Sequence, residues 1–297
     1  MLLFGAIAVL PFVACSQQSP TGKIVVVTSI FPLADFVRNV GGEKVEVVTL
    51  LPPGASPHTY EPTPDQVKTV SRASLFVKNG AGLEFWAEKM VVGAANPRLL
   101  VVDTSVGIET IRGREDVREP GGDAHDEDVN PHFWVDPVLA QKQVEAIRDA
   151  LTSIDPSQEV FYRQKAAAYL TALEALDREI ARQTKLFSIR EFISFHAAWS
   201  YFARRYNLLE AAVIESSPGR EPSPALLKQI VDTARKAKIK AIFAEPQFSP
   251  RIAETIALET GSKVLFLDPI GGPGLKDRDT YMNLMRYNVG QMSQAMK

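Results

Sequence analysis

Hydrophobic and polar positions alternate between two regimes along this chain. Short runs rich in Val, Ile, Leu and Phe, bounded by Gly, Pro or polar clusters, recur at Lys23–Thr28, Val45–Leu50, Leu75–Lys78 and Leu99–Val102. They recur again at Glu191–Phe195, Leu209–Ile214, Ala241–Ala244 and Val264–Leu267. Runs this short and this β-branched read as buried strands. Helical segments separate most of them, several opening on a polar residue followed by proline: Thr63-Pro64, Asp136-Pro137, Asp155-Pro156, Ser223-Pro224 and Ser249-Pro250. Proline suits the first helical position, where the missing N–H has no partner to lose. Alternating strands and helices predict an α/β fold with parallel sheets flanked by helices.

One segment breaks the alternation. From Asp155 to about Phe187 there is no Gly and, after Pro156, no Pro, and Ala166, Leu170, Leu173, Leu176 and Ile180 recur at three- and four-residue spacing. Asp155-Pro-Ser-Gln158 resembles a capping-box start, and Glu174 and Arg178 form an i,i+4 pair. At ~1.5 Å per residue such a helix is roughly 45 Å long. With four strand signals on either side, it predicts two similar α/β lobes joined by one connecting helix. The expected division is 1–22 signal peptide and linker, 23–154 first lobe, 155–187 connecting helix, and 188–297 second lobe.

The start of the chain adds a location. Leu2–Ala14 is strongly apolar, too short to span a bilayer but suited to a signal-peptide core. Phe12-Val-Ala-Cys15 resembles a bacterial lipobox, with Phe where Leu is usual. An exported protein, periplasmic or lipid-anchored through Cys15 to the outer face of a bacterial membrane, is expected. As the only cysteine of the chain, Cys15 leaves no intramolecular disulfide to form. Net charge is −2, so no basic excess points to nucleic acid. Gly113–Asn130 holds seven acidic residues and His125 with almost nothing apolar, which predicts a solvated loop.

The candidate chemistry lies in the histidines, of which there are four. His58 follows a strand run, His132 precedes a helix in Asn130-Pro-His-Phe-Trp-Val-Asp-Pro137, and His196 ends a strand run. Asp268 ends another, before Pro269 and Gly271-Gly272. Ligand sites of parallel sheets collect beyond the carboxyl ends of strands. Imidazoles with one carboxylate suit zinc, and less selectively manganese or iron, whereas calcium and magnesium want more oxygens. Glu245 either orients a ligand or pairs with an arginine, the second reading being slightly favoured. Tyr60 and Trp134 read as packing that keeps a crevice dry. No phosphate-cradling glycine motif or Gly-x-Ser-x-Gly elbow is present.

The stretches PPGASPHTYEPTP (52–64), NPHFWVDP (130–137), SFHAAWSYFA (194–203), IFAEPQFSPRIAETIA (242–257) and LDPIGG (267–272) resemble the zinc/manganese-type solute-binding proteins of bacterial metal ABC importers. The likeness runs from about Lys23 to Lys297. It implies two α/β lobes bridged by a long helix, with a divalent metal held between them by His58, His132, His196 and Asp268. Manganese members tend to carry Glu where this chain has His196, so the resemblance leans to Zn²⁺ over Mn²⁺. It also implies an ABC permease in the cytoplasmic membrane as partner and no catalytic activity; a monomer is the simplest expectation for a receptor that must dock and release. The rival readings are a zinc hydrolase with Glu245 as general base, and a surface adhesin.

Overall fold

The computed structural model describes residues 22–112, 129–215 and 221–297. The apolar start with Cys15, and the acidic stretch up to Asp128 with His125, lie outside the described residues. The first lobe runs β1 (Ile24–Thr28), α1 (Phe31–Gly41), β2 (Val45–Thr49), α2 (Pro64–Ser71), β3 (Leu75–Lys78), α3 (Ala87–Ala94), β4 (Leu100–Asp103) and α4 (Pro137–Ile154). The connecting helix is α5 (Glu159–Thr184). The second lobe runs β5 (Glu191–His196), α6 (Ser200–Arg205), β6 (Leu209–Glu215), α7 (Pro224–Lys236), β7 (Ala241–Ala244), α8 (Arg251–Thr260), β8 (Lys263–Phe266) and α9 (Tyr281–Met296). Both sheets are parallel, in the orders β2-β1-β3-β4 and β6-β5-β7-β8, so the two lobes repeat one topology.

Local chemistry explains the helix starts unevenly. Thr63, Asp136 and Ser223 each accept a backbone N–H of their own first turn, with proline next in the chain. Thr63 completes a full capping box with Gln66. The Asp155 and Ser249 signals do not act this way. Asp155 accepts the Ser157 hydroxyl at 2.6 Å and lies before a short 3₁₀ turn, so α5 begins only at Glu159 without a side-chain cap. α8 begins after Pro250, also without one. At 26 residues, α5 is ~39 Å long, somewhat shorter than the periodicity predicts.

The strands feed two faces each, because successive side chains alternate. In β1 and β3, Val26, Leu75 and Val77 face the middle of the molecule, while Val27 and Phe76 pack outward under α2 and α3. In β5 and β7, Phe192, Ala241 and Phe243 face inward, while Ile193, Phe195, Ile242 and Ala244 pack outward under α7 and α8. The inward residues of both sheets belong to one continuous core. Helix α5 joins them through Tyr162, Ala166, Tyr169, Leu173, Leu176 and Ile180, packing on α1, α4 and α9. Leu170 sits at the rim of this stripe and Tyr169 takes the buried place. The Tyr169 hydroxyl donates to Asp35 of α1 at 2.9 Å, and the Tyr281 backbone N–H of α9 donates to the same carboxylate at 3.1 Å. One buried carboxylate thereby ties three helices from both lobes. No helix of the described residues is long and apolar enough to cross a membrane.

Candidate metal centre

Three of the predicted residues meet where the two lobes face each other. His196 is the last residue of β5, in phase with the inward-facing Phe192 and Ser194. Glu245 directly follows β7, the neighbouring strand, in phase with inward-facing Phe243. β5 and β7 flank the point where the strand order reverses, the usual place for a site in a parallel sheet. The first lobe contributes His58 from the loop between β2 and α2, and His132 from the 3₁₀ turn that precedes α4.

The His58 and His132 Nε2 atoms lie 2.9 Å apart, and those of His132 and His196 lie 3.2 Å apart. Four tetrahedral ligands at a zinc–nitrogen distance of ~2.05 Å are ~3.3 Å from each other, so the imidazoles stand nearly at ligand spacing. The Nδ1 atoms face away. His132 Nδ1 meets Asn130 Oδ1 at 2.9 Å, and His196 Nδ1 meets Glu245 Oε1 at 2.7 Å. Both partners are acceptors, so Nδ1 carries the proton in each ring and a lone pair is left on Nε2. A buried carboxylate or amide behind a histidine is the arrangement that fixes the tautomer of metal ligands.

The electrostatics divide the trio. Burial pushes the His58 imidazole down to about 3, helped by the charge on His196. Burial pushes His132 well below the ordinary range, again with help from its neighbours His196 and His58. His196 is buried too, which alone would lower it. The Glu245 carboxylate against its ring outweighs that effect, with Glu210 and Glu215 adding to it, and the pKa ends up raised. Two rings are therefore neutral at pH 7, and one competes for a proton.

Asp268 is placed differently. It is buried beyond the end of β8 but stands outside the trio of converging ligand atoms. Its Oδ1 accepts the backbone N–H groups of Ile270 (3.0 Å) and Gly271 (2.9 Å) and the Gln247 amide (3.1 Å). Its Oδ2 pairs with the Arg278 guanidinium at 2.8 Å. Among the described residues Glu245 pairs with His196 and not with an arginine, which corrects the reading favoured from sequence. Trp134 packs against His132 and donates from its indole to the Pro269 carbonyl across the lobes, whereas Tyr60 packs on Trp86.

The crevice beside the histidines is lined by Ser56, Pro57, Phe248, Pro269 and Ile270, with Glu245 and Gln247 at its wall. Among the described residues, Glu245 Oε2 and Gln247 Oε1 are buried there without a hydrogen-bond partner, so polar capacity is left over beside the imidazoles. Three nitrogen donors, two of them held in tautomer, fit a divalent transition metal.

Comparison with known proteins agrees with this geometry. The family described as "Zinc-uptake complex component A periplasmic" matches residues 26–295. The chain belongs to the solute-binding proteins of metal ABC importers. Members of this family are binding proteins and not enzymes, which removes the hydrolase reading. The zinc-binding lipoprotein AdcA of Streptococcus pneumoniae is 31% identical over 99% of this chain, which spans 60% of AdcA. The manganese ABC transporter substrate-binding lipoprotein scaA of Streptococcus gordonii is 29% identical, covering 95% of this chain and 94% of its own. A crystal structure of ZnuA superposes with a TM-score of 0.83 at 32% identity, over 93% of this chain and 100% of that one. The family therefore includes proteins named for zinc and for manganese.

Asn130 was not singled out from the sequence as a site residue, although it lies two residues before His132. Its amide accepts the His132 backbone N–H (3.0 Å) and ring, and donates across the lobes to the Ala197 carbonyl (2.7 Å) and the Ser200 hydroxyl (3.3 Å).

Proposed function

We propose that this protein is the extracytoplasmic receptor of a metal ABC importer, capturing Zn²⁺ between its lobes and delivering it to a permease in the cytoplasmic membrane. His58, His132 and His196 are the ligands. The observation that carries this reading is the convergence of three Nε2 atoms from two lobes, two of them backed at Nδ1 by buried acceptors. Two features make zinc the better fit. The donors are nitrogens, and zinc accepts three protein ligands with a solvent molecule in the fourth place. Manganese favours carboxylates and other oxygens. Location outside the membrane rests on the apolar start of the chain and on relatives named as lipoproteins. Asp268, a fourth ligand by resemblance, stands outside this trio and pairs with Arg278.

The test is titration of metal-free protein with Zn²⁺ and Mn²⁺ against a competing chelator, alongside His196→Ala. One tight zinc equivalent, greatly weakened in the variant, is the expected result. Tighter manganese binding under competition would replace zinc with manganese in the proposal, and tight binding of neither metal would overturn it.

A further inference from the structure

We infer that Asn79 is a positioning residue for zinc capture, holding the peptide that carries His132, and that Glu84 in turn fixes Asn79 from behind. The inference rests on the receptor reading above and deepens it.

Asn79 directly follows β3, beside the point where the strand order of the first sheet reverses. Glu245 has the same place after β7 in the second sheet. There a carboxylate meets the ring of a histidine; here an amide meets the main chain of one. Asn79 Nδ2 donates to the Pro131 carbonyl at 2.9 Å. The other end of that same peptide unit, the His132 N–H, donates to Asn130 Oδ1 at 3.0 Å. A planar peptide gripped at both its oxygen and its hydrogen cannot rotate without losing one of the two bonds. Such a rotation would swing the His132 side chain, and Nε2 with it. The backbone there needs the grip. His132 has φ −88° and ψ 44°, outside the helical and extended regions where repeating main-chain bonds would hold it.

Asn79 is itself immobilised. It is fully buried, and its Oδ1 accepts the Gln143 amide at 3.2 Å, which leaves Nδ2 facing Pro131. Gln143 belongs to α4, the helix that follows His132. Its amide also donates to the Thr104 hydroxyl at 2.8 Å, and that hydroxyl lies 3.2 Å from the Asn79 carbonyl as its donor.

Glu84 supplies the remaining constraint. Its Oε1 accepts the Asn79 N–H at 2.8 Å, and its Oε2 accepts the Gly80 N–H at 2.9 Å. Successive main-chain N–H groups that close on one anion form a nest. The chain here fills the nest with its own buried carboxylate. The turn beyond it is strained, because Ala81 is left-handed at φ 52° between two left-handed glycines. A side chain enters that region at a cost, so the turn needs an external hold. Two charge-assisted hydrogen bonds from one carboxylate provide it.

The experiment is a double-mutant cycle read by zinc affinity under chelator competition, with apoprotein melting followed for each variant. Asn79→Asp keeps the shape but loses the donor that faces Pro131, and Glu84→Gln loses one of the two acceptors. Each weakens zinc binding about tenfold, the low end for groups behind a ligand. In a His132→Ala background the loss from Asn79→Asp disappears, because the ring it positions is gone. In a His58→Ala background the full loss remains. Val40→Ala, in the last turn of α1 at the sheet edge opposite the site, lowers the melting temperature and leaves zinc affinity unchanged. Unchanged zinc affinity in Asn79→Asp would overturn the inference, as would a loss of equal size in the two histidine backgrounds. So would a comparable loss in Val40→Ala, which would reduce the effect to stability. Should Asn79→Asp not fold, Glu84→Gln decides by the same cycle. Failure of the receptor reading is distinguishable, because the wild type would then show no tight zinc equivalent and no dependence on His196.

Discussion

The two lobes offer the same side chain in opposite settings. The second lobe holds His196 at the end of a central strand, buried, with Glu245 from the neighbouring strand against its ring. The first lobe holds His58 and His132 on irregular backbone, His58 half-buried in a loop and His132 backed by the neutral amide of Asn130. Burial acts on all three rings in the same direction. Only the nearby carboxylates differ, Glu245 foremost with Glu210 and Glu215 behind it, and they reverse the outcome for one of them. The contrast shows how a protein can keep three imidazoles in contact: two stay neutral through desolvation, and the positive charge, when present, has a single assigned place.

Predictions can be ordered by how strongly they disturb this division. The largest effect is expected from His196→Ala, which removes the second lobe's only imidazole in the trio. Binding free energies of ~10–16 kcal/mol over about four ligands amount to roughly 3 kcal/mol each, or on the order of 10²- to 10³-fold in affinity. Chelator competition measures it.

Next comes Glu245→Gln, which keeps an acceptor behind the ring but removes the charge. Zinc affinity should drop by roughly 10- to 100-fold. The His196 pKa should also fall, because burial remains and its counterweight is gone; histidine NMR titration of the apoprotein follows it. An unmoved His196 pKa would mean that Glu245 only packs.

A comparable effect is expected from pH in the wild type. Below the raised pKa of His196, the metal must displace one proton, so affinity falls about tenfold per pH unit. Above it the dependence flattens. His58, at about 3, and His132, well depressed, are already deprotonated and add no steps near neutrality. Proton release measured by calorimetry in two buffers should approach one per zinc on the acid side of the His196 transition, and a value near three would break the comparison.

Asn130→Ala should cost about tenfold, at the low end of the range for groups behind a ligand, because a neutral amide is lost. The smallest expected effect is that of Tyr281→Phe. It removes the hydroxyl that donates to the Trp134 carbonyl at 2.7 Å, for about 1 kcal/mol of stability, with zinc affinity nearly unchanged.

Much of this arrangement was legible in the residues. The strand at Glu191 announced His196 at its end, and the caps at Thr63, Asp136 and Ser223 followed from a polar residue before proline. Period-two alternation through Ala241-Ile-Phe-Ala244 carries the phase that puts Glu245 inward beside His196. Asp268 was harder. Its partner lies ten residues on, across a loop with left-handed backbone at Gly271, Gly274 and Asp277, and no periodicity encodes such a contact. The start of α5 failed for a related reason: Asp155 has the side chain of a cap, but the Ser157 hydroxyl bonds to it inside a tighter turn. Tyr169 displaced Leu170 from the buried stripe because Asp35 on another helix gives its hydroxyl a partner, a tertiary fact.

The shared middle core also bears on how the chain melts. Inward residues of both sheets, from Val26 to Phe243, pack into one apolar mass threaded by α5. Neither half can lose its inner layer while the other keeps its own. Heating should therefore produce a single calorimetric transition, with the enthalpy from the peak area matching that from its width. Hollowing the connecting helix, as in Leu173→Ala, should cost about 2–5 kcal/mol of stability and lower the temperature of that one peak without splitting it.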